Sequence, residues 1–213
     1  MATRYERYRI RGRPVPRVTE VLQLVHDGRG LEAWKERTPD WEAQTKRAMV
    51  MGKLMHWALA NEYSQVPVEL DGDLPLRDMP EDALEELAGR MKQWERLKLN
   101  LERHAMVEHV VYIDEGDDCL AGGTLDWRGN ANGYKAIVDW KGAKRIRPEY
   151  LTQLGAYALG SKREGVEVER GFIVRLLRDE REVAELEKKE LDEEGEKFKE
   201  LCREWWKKNN SPK

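Results

Sequence analysis

The sequence has few of the residues that several common kinds of protein require. Its 213 residues include only two cysteines and two phenylalanines. Cys119 and Cys202 stand far apart, without the spacing of a zinc site or a redox motif. No apolar run approaches the roughly 20 residues that a membrane helix needs, and the N-terminus lacks the apolar core of a secretory signal. We therefore expect no membrane association and a reducing, cytoplasmic location.

The length suits one domain, and no repeat or linker divides the chain, so we treat residues 1–213 as a single domain. Helical periodicity predominates over about 18–101. The pattern changes to β-strand alternation within about 106–186, and a charged helix is predicted over about 192–209. This order predicts an α/β fold of the α+β type, in which helices flank a mixed sheet and a helical region precedes it.

The predicted elements follow from apolar periodicity and from turn residues. Residues 67–80 are rich in Asp, Pro and Gly and predict a loop. Three consecutive strands in the middle of the chain predict an antiparallel meander. The predicted helices cover 41–63, 81–101 and 149–163, and the predicted strands cover 106–113, 119–128, 134–141, 171–177 and 182–186.

The predicted strands carry two carboxylates and a lysine that suit phosphodiester chemistry. Asp126 lies near the end of the second strand, and Asp139 interrupts the apolar run of the third. Side chains two positions apart on a strand share a face, so Asp139 and Lys141 project together. Paired carboxylates hold a divalent cation against a phosphodiester, and a nearby lysine stabilises the phosphate charge. Glu108, on the first strand, is a weaker candidate for a third carboxylate.

Each candidate alone also has an ordinary structural explanation. Aspartates are common where strands end at turns, and a lone histidine such as His56 on an amphipathic helix is usually packed or hydrogen-bonded. Gln153 and Tyr157 share one side of a helix, where they either flank it or reach back to the lysine. Asp139 is the strongest case, because a carboxylate emerging from a buried strand needs a compensating charge.

Two segments are locally basic, although the net charge is -3. Lys144, Arg145 and Arg147 directly follow the candidate site, and we expect them to contact nucleic-acid phosphates. The N-terminal segment is either a second phosphate-binding surface or a solvated arm. Its arginines are Arg4, Arg7, Arg9, Arg11, Arg13 and Arg17.

Four motifs in a fixed order make the sequence resemble the PD-(D/E)xK nuclease superfamily, and within it the RecB-type and phage-type exonucleases. The resemblance covers about 18–177 and implies a restriction-endonuclease-like core. The motifs are Gly-x-x-x-His ending at His56, Gly-x-x-Asp ending at Asp126, Asp-x-Lys from Asp139 to Lys141, and Gln-x-x-x-Tyr from Gln153 to Tyr157.

The resemblance implies a divalent-metal-dependent deoxyribonuclease that acts as an exonuclease. It implies Mg2+ or Mn2+ as cofactor, and an imidazole ligand favours Mn2+ because nitrogen donors bind transition metals better than magnesium. The implied metal ligands are His56, Asp126, Asp139 and the backbone carbonyl of Trp140. The implied catalytic residues are Asp126, Asp139, Lys141, Gln153 and Tyr157.

The implied substrate is linear DNA, single- or double-stranded, in phage or bacterial recombination, repair or processing. A helicase or recombination partner would supply any unwinding, because the chain has no P-loop motif. Some relatives hold an iron-sulfur cluster on four cysteines. This sequence has only two, so we expect no cluster here. Two other functions stay open: a non-catalytic nucleic-acid-binding recombination accessory protein, and a structure-specific endonuclease with the same site. Metal-dependent shortening of DNA separates the accessory protein from a nuclease, and cleavage of closed circles separates the endonuclease from an exonuclease.

Overall fold

The computed structural model describes residues 8–25, 29–69 and 81–210, and the N-terminal half of this part is mainly helical. Arg4, Arg7 and most of the predicted loop over 67–80 lie outside the described residues. The elements of this half are β1 (Arg9–Ile10), β2 (Arg13–Pro14), α1 (Val18–Leu22), a 3-10 turn (Gln23–Val25), α2 (Arg29–Arg37), α3 (Trp41–Tyr63) and α4 (Ala83–Glu95).

The second half forms a five-stranded mixed sheet with a helix between its third and fourth strands and another after its last. The strands lie side by side in chain order, and all neighbours are antiparallel except β5 and β6, which are parallel. The elements are β3 (Met106–Asp114), β4 (Leu120–Ala131), β5 (Tyr134–Lys141), α5 (Pro148–Arg163), β6 (Arg170–Leu176), β7 (Arg181–Glu187) and α6 (Lys188–Asn210).

The predicted mixed fold and the meander of β3, β4 and β5 are confirmed, but several predicted boundaries are wrong. The strand predicted to end at residue 128 continues to Ala131, because Asn132 and Gly133 alone make the turn, with φ of 51° and 90°. The helix predicted to reach residue 101 ends at Glu95, and Leu101 instead bridges Ala131. The C-terminal helix begins at Lys188, directly after β7, rather than at residue 192.

Each face of the sheet has its own apolar core. On one face, α1, α5 and α6 cover Leu125 and Ile137. On the other, α3 and α4 cover a cluster of aromatic rings whose neighbouring centroids lie 6.0–6.5 Å apart. These rings belong to Tyr63, Trp94, Trp127 and Trp140. No helix in the described part of the chain is both long and apolar enough to cross a bilayer.

Strand β4 changes its neighbour partway along its length. From Ala131 back to Trp127 it pairs with β5, and the last register pair is Trp127 with Val138. Nearer its start, that side of β4 instead accepts the N-terminal segment, since Arg17 forms a parallel bridge with Gly122. The backbone N–H of Gly122 donates to the carbonyl of Pro16 at 3.0 Å. The two strands therefore diverge immediately beyond Trp127 and Val138.

Candidate active site

The two predicted aspartates lie at the point where β4 and β5 diverge. Continuing the register one step beyond Trp127 and Val138 places Asp126 beside Asp139. The ladder does not extend to them; instead the backbone N–H of Trp140 donates to Oδ2 of Asp126 at 2.7 Å. Both carboxylates are buried, with 6% of Asp126 and 1% of Asp139 exposed. Two buried carboxyl groups therefore lie side by side at the point where the two strands separate.

His56 reaches the same point from helix α3. Its Nδ1 lies 3.3 Å from Oδ1 of Asp126, and its Nε2 lies 2.9 Å from the carbonyl oxygen of Trp140. Burial opposes a charge on the imidazole, but the carboxylate of Asp126 outweighs it and raises the pKa of His56 to about 9. At neutral pH the ring therefore carries both protons, and a cation that binds it must displace one.

Lys141 lies beside Asp139 and is held by a chain of hydrogen bonds from α5. Its Nζ lies 2.5 Å from Oδ2 of Asp139 and donates to Oε1 of Gln153 at 3.0 Å. Nε2 of Gln153 donates to the hydroxyl of Tyr157 at 2.8 Å. Burial would lower the pKa of Lys141, but Asp139 and Asp126 raise it above its usual value. The lysine is therefore a fixed cation.

The surroundings of Asp139 disfavour the charged form of its carboxyl group. Burial and the neighbouring carboxylate of Asp126 raise its pKa to about 6, against the opposing effect of Lys141. Its Oδ2 is buried and faces the ammonium of Lys141, the cation that partly offsets the cost of the charge. Asp126 differs, because His56 outweighs burial and lowers its pKa. A further positive charge would stabilise Asp139.

Glu108 joins this site from β3. It lies opposite Asp126, between the register pairs that join Val107 to Trp127 and His109 to Leu125. Its φ of 47° is in the left-handed region, which costs a non-glycine residue about 1–3 kcal/mol. Ligand atoms of His56, Glu108 and Asp126 all lie within 4.8 Å of one another. The weakest of the predicted carboxylates is thus placed with His56 and Asp126.

Contacts of the N-terminal segment and of the Gly-x-x-Asp motif complete the surroundings of the site. The hydroxyls of Tyr8 and Thr124 lie 2.8 Å apart, which ties the N-terminal segment to β4 two positions before Asp126. A Cβ on Gly123 would lie 2.7 Å from Cε1 of Tyr157, so only glycine admits that ring. The signal available in the sequence was the Gly-Gly pair at residues 122 and 123, which marks close packing inside a strand.

The two basic segments differ in what their side chains contact. Lys144, Arg145 and Arg147 are exposed on the loop between β5 and α5, directly after Lys141. In the N-terminal segment, Arg11 pairs with Asp114 and Asp117, and the guanidinium of Arg13 lies over the ring of Trp206. The segment after β5 is therefore the better placed of the two to meet an anionic ligand.

Comparisons with known proteins add little to this geometry. No protein-family model matches the sequence, and no curated protein matches it. Among solved structures, the crystal structure of SSO0001 is similar, with 19% sequence identity and a TM-score of 0.31. The similarity covers 54% of this chain and 60% of that chain. At this TM-score the likeness establishes neither a shared fold nor a shared function.

Proposed function

We propose that this chain is a divalent-metal-dependent DNA exonuclease of the PD-(D/E)xK superfamily, with a restriction-endonuclease-like core. The observation that carries the proposal is the meeting of His56, Asp126, Asp139 and Lys141 at one point of the sheet. His56 comes from α3, which is distant in the sequence from the hairpin of β4 and β5 that carries the other three residues. A solvated surface explains none of them, because both carboxylates and most of the lysine are buried.

The side chains present suit a divalent cation. Asp139 offers a buried carboxylate beside Lys141, and His56, Glu108 and Asp126 offer ligand atoms close together. His56, Asp126, Asp139 and the carbonyl of Trp140 would hold Mg2+ or Mn2+, with Glu108 as an additional carboxylate. When bound, such an ion supplies Lewis acidity, which polarises a phosphodiester and lowers the pKa of a water molecule.

Lys141 acts in this proposal as a fixed cation rather than as a base. Its raised pKa keeps the ammonium charged, so it stabilises the negative charge that develops on the phosphate and orients the attacking water. Gln153 holds the ammonium through its amide oxygen, and Tyr157 holds Gln153 in turn. Burial raises the pKa of Tyr157 well above its usual value, so its hydroxyl stays protonated.

The substrate would approach over the loop that follows Lys141. Lys144, Arg145 and Arg147 are exposed there and would contact backbone phosphates without reading the bases. Trp140 is fully buried within the aromatic cluster, which holds the carbonyl and the strand behind it in place. The site therefore combines a rigid catalytic strand with an accessible basic loop.

The test is cleavage of end-labelled linear single-stranded DNA, linear double-stranded DNA and closed circular DNA, each with EDTA, Mg2+ or Mn2+. We expect metal-dependent shortening of linear DNA, intact circles, and loss of activity of at least about a hundredfold in Lys141→Ala. Lys189→Ala is the matched control, since Lys189 is exposed on α6, and it should cleave like the wild type. The melting temperature of both variants shows whether they are folded.

Each other result identifies a different function. Cleaved circles indicate a structure-specific endonuclease with the same site. DNA that is bound in a salt-sensitive way but never shortened indicates a binding or accessory protein. Full activity of Lys141→Ala would overturn the assignment of this lysine, and with it the proposed site.

A further inference from the structure

A buried arginine lies between the helix that carries His56 and the strand that carries Asp139 and Lys141. Arg90, on α4, is 5% exposed. Its Nη1 lies 3.9 Å from Sδ of Met55, the residue before His56. The same Nη1 lies against Gly142, the residue after Lys141. One guanidinium therefore touches the neighbours of two candidate site residues.

Gly142 is a glycine because of this guanidinium. A Cβ at residue 142 would lie 2.5 Å from Nη1 of Arg90, closer than any real Cβ contact. The backbone of Gly142 does not have the positive φ that would by itself favour glycine. Glycine is therefore needed at residue 142 to leave room for the guanidinium, not to form a special turn. An alanine there would displace the guanidinium of Arg90 rather than any backbone atom, because the nearest atoms to that Cβ all belong to this side chain.

The hydrogen bonds of Arg90 are too few for its burial to contribute much to the stability of the fold. Nη2 donates to Oε1 of Glu86 at 2.6 Å, and Glu86 also pairs with Arg47. Nε of Arg90 is buried and has no acceptor among the described residues. A buried charge with unsatisfied donors is often no more stabilising than an apolar side chain of the same size. The guanidinium is planar and rigid, however, so it can hold the two segments that it contacts at a fixed separation.

We propose that Arg90 is a positioning residue for the candidate metal centre. It sets the separation between α3 and the end of β5, and so the position of His56 relative to the carbonyl of Trp140. The proposal rests on the proposed metal-dependent function. Helix α4 contributes no candidate ligand. Through Arg90 it would instead hold the ligands of α3 and β5 at the right distance from each other.

The experiment measures Mn2+ binding by titration calorimetry and, separately, the free energy of unfolding in EDTA. The variants are Arg90→Met, Gly142→Ala and the double variant. We expect each single variant to bind Mn2+ about tenfold more weakly, the usual effect of losing a residue that orients a ligand. In the Arg90→Met background, Gly142→Ala should have no further effect, because the guanidinium that it displaces is absent.

The matched control is Arg47→Met. Arg47, on α3, pairs with Asp82 and with Glu86, at the other end of the same charge network. It should lower the free energy of unfolding while leaving Mn2+ affinity within about twofold. An unchanged Mn2+ affinity in Gly142→Ala would overturn the proposal, and this variant decides alone if Arg90→Met does not fold. Independent effects of the two substitutions would overturn it too.

The wild-type protein separates failure of this proposal from failure of the proposed function. A wild type that binds Mn2+ but cleaves no DNA contradicts the exonuclease, while the affinities of the variants still judge Arg90. A wild type that binds no Mn2+ overturns both. A wild type that binds and cleaves, with full affinity in every variant, overturns the role of Arg90 alone.

Discussion

Asp139→Asn is expected to stabilise the metal-free protein above about pH 6 while abolishing its affinity for a divalent cation. Burial and the carboxylate of Asp126 raise the pKa of Asp139 from 3.8 to about 6, in spite of Lys141. The fold therefore opposes the charge that the carboxylate carries at neutral pH. An asparagine has nearly the same shape and carries no charge.

The pKa of Asp139 sets the size of this effect. One pKa unit corresponds to about 1.36 kcal/mol, so a shift from 3.8 to about 6 corresponds to about 3 kcal/mol. This shift already includes the opposing effect of Lys141, but the amide of asparagine is polar and buried, and its unpaired hydrogen-bonding groups offset part of the gain. We therefore expect the free energy of unfolding at pH 8 to rise by about 1–2 kcal/mol.

The pH dependence has a definite sign. Below pH 3.8 the carboxyl of Asp139 is protonated in both the folded and the unfolded chain, so it contributes nothing to stability. As the pH rises to about 6, the unfolded chain releases this proton first, and the wild type loses stability. Asp139→Asn lacks this loss, so the difference between the two proteins should grow from about pH 4 to about pH 6 and then level off.

The assay is urea denaturation in EDTA at a series of pH values. Asp117→Asn is the control, because it removes the same charge from a side chain that is 85% exposed. Its curve should run parallel to that of the wild type. A variant Asp139→Asn that is less stable than the wild type at pH 8, or whose curve also runs parallel, would refute the reasoning about the buried carboxylate.

Three further predictions concern single residues of the site and its support. His56→Gln removes the nitrogen donor, so calorimetry should show at least about tenfold weaker Mn2+ binding and a smaller change for Mg2+. Glu108→Asn should weaken cation binding yet raise the free energy of unfolding by about 1 kcal/mol, because asparagine tolerates a φ of 47°. Gly155→Ala should destabilise the protein by about 1–3 kcal/mol in thermal unfolding, because its Cβ would meet the backbone N of Gly195. Equal losses of Mn2+ and Mg2+ affinity would contradict the prediction for His56→Gln. Unchanged cation binding would contradict that for Glu108→Asn, and an unchanged melting temperature that for Gly155→Ala.

Local patterns predicted where the candidate residues lie. The apolar periodicity of α3 gave its bounds, and the alternation of β5 put Asp139 and Lys141 on one face. The spacing of Gln153 and Tyr157 put both on one side of α5, where they are hydrogen-bonded to each other. Each of these depends on residues within a few positions, which is the range over which helix and strand geometry acts.

Contacts between distant parts of the chain could not be predicted in this way. Cys119 and Cys202 stand far apart in the sequence, yet their thiols are in contact in the core between β4 and α6. The position of Arg90 against Gly142 depends on how α4 packs on the sheet, which no local pattern encodes. Helix α2 was missed because it is only nine residues long and largely polar, so its apolar periodicity spans too few turns to stand out.

The attachment of the N-terminal segment to β4 has a consequence for the order in which the protein forms. Tyr8 and its partner Thr124 are separated by 116 positions in the sequence. Contacts between such distant residues are slow to form, because a long loop must close first. The attachment of the N-terminal segment to β4 beside Asp126 therefore forms late, after the local helices and hairpins. During refolding, occupancy of the cation site should lag behind the recovery of helical circular dichroism.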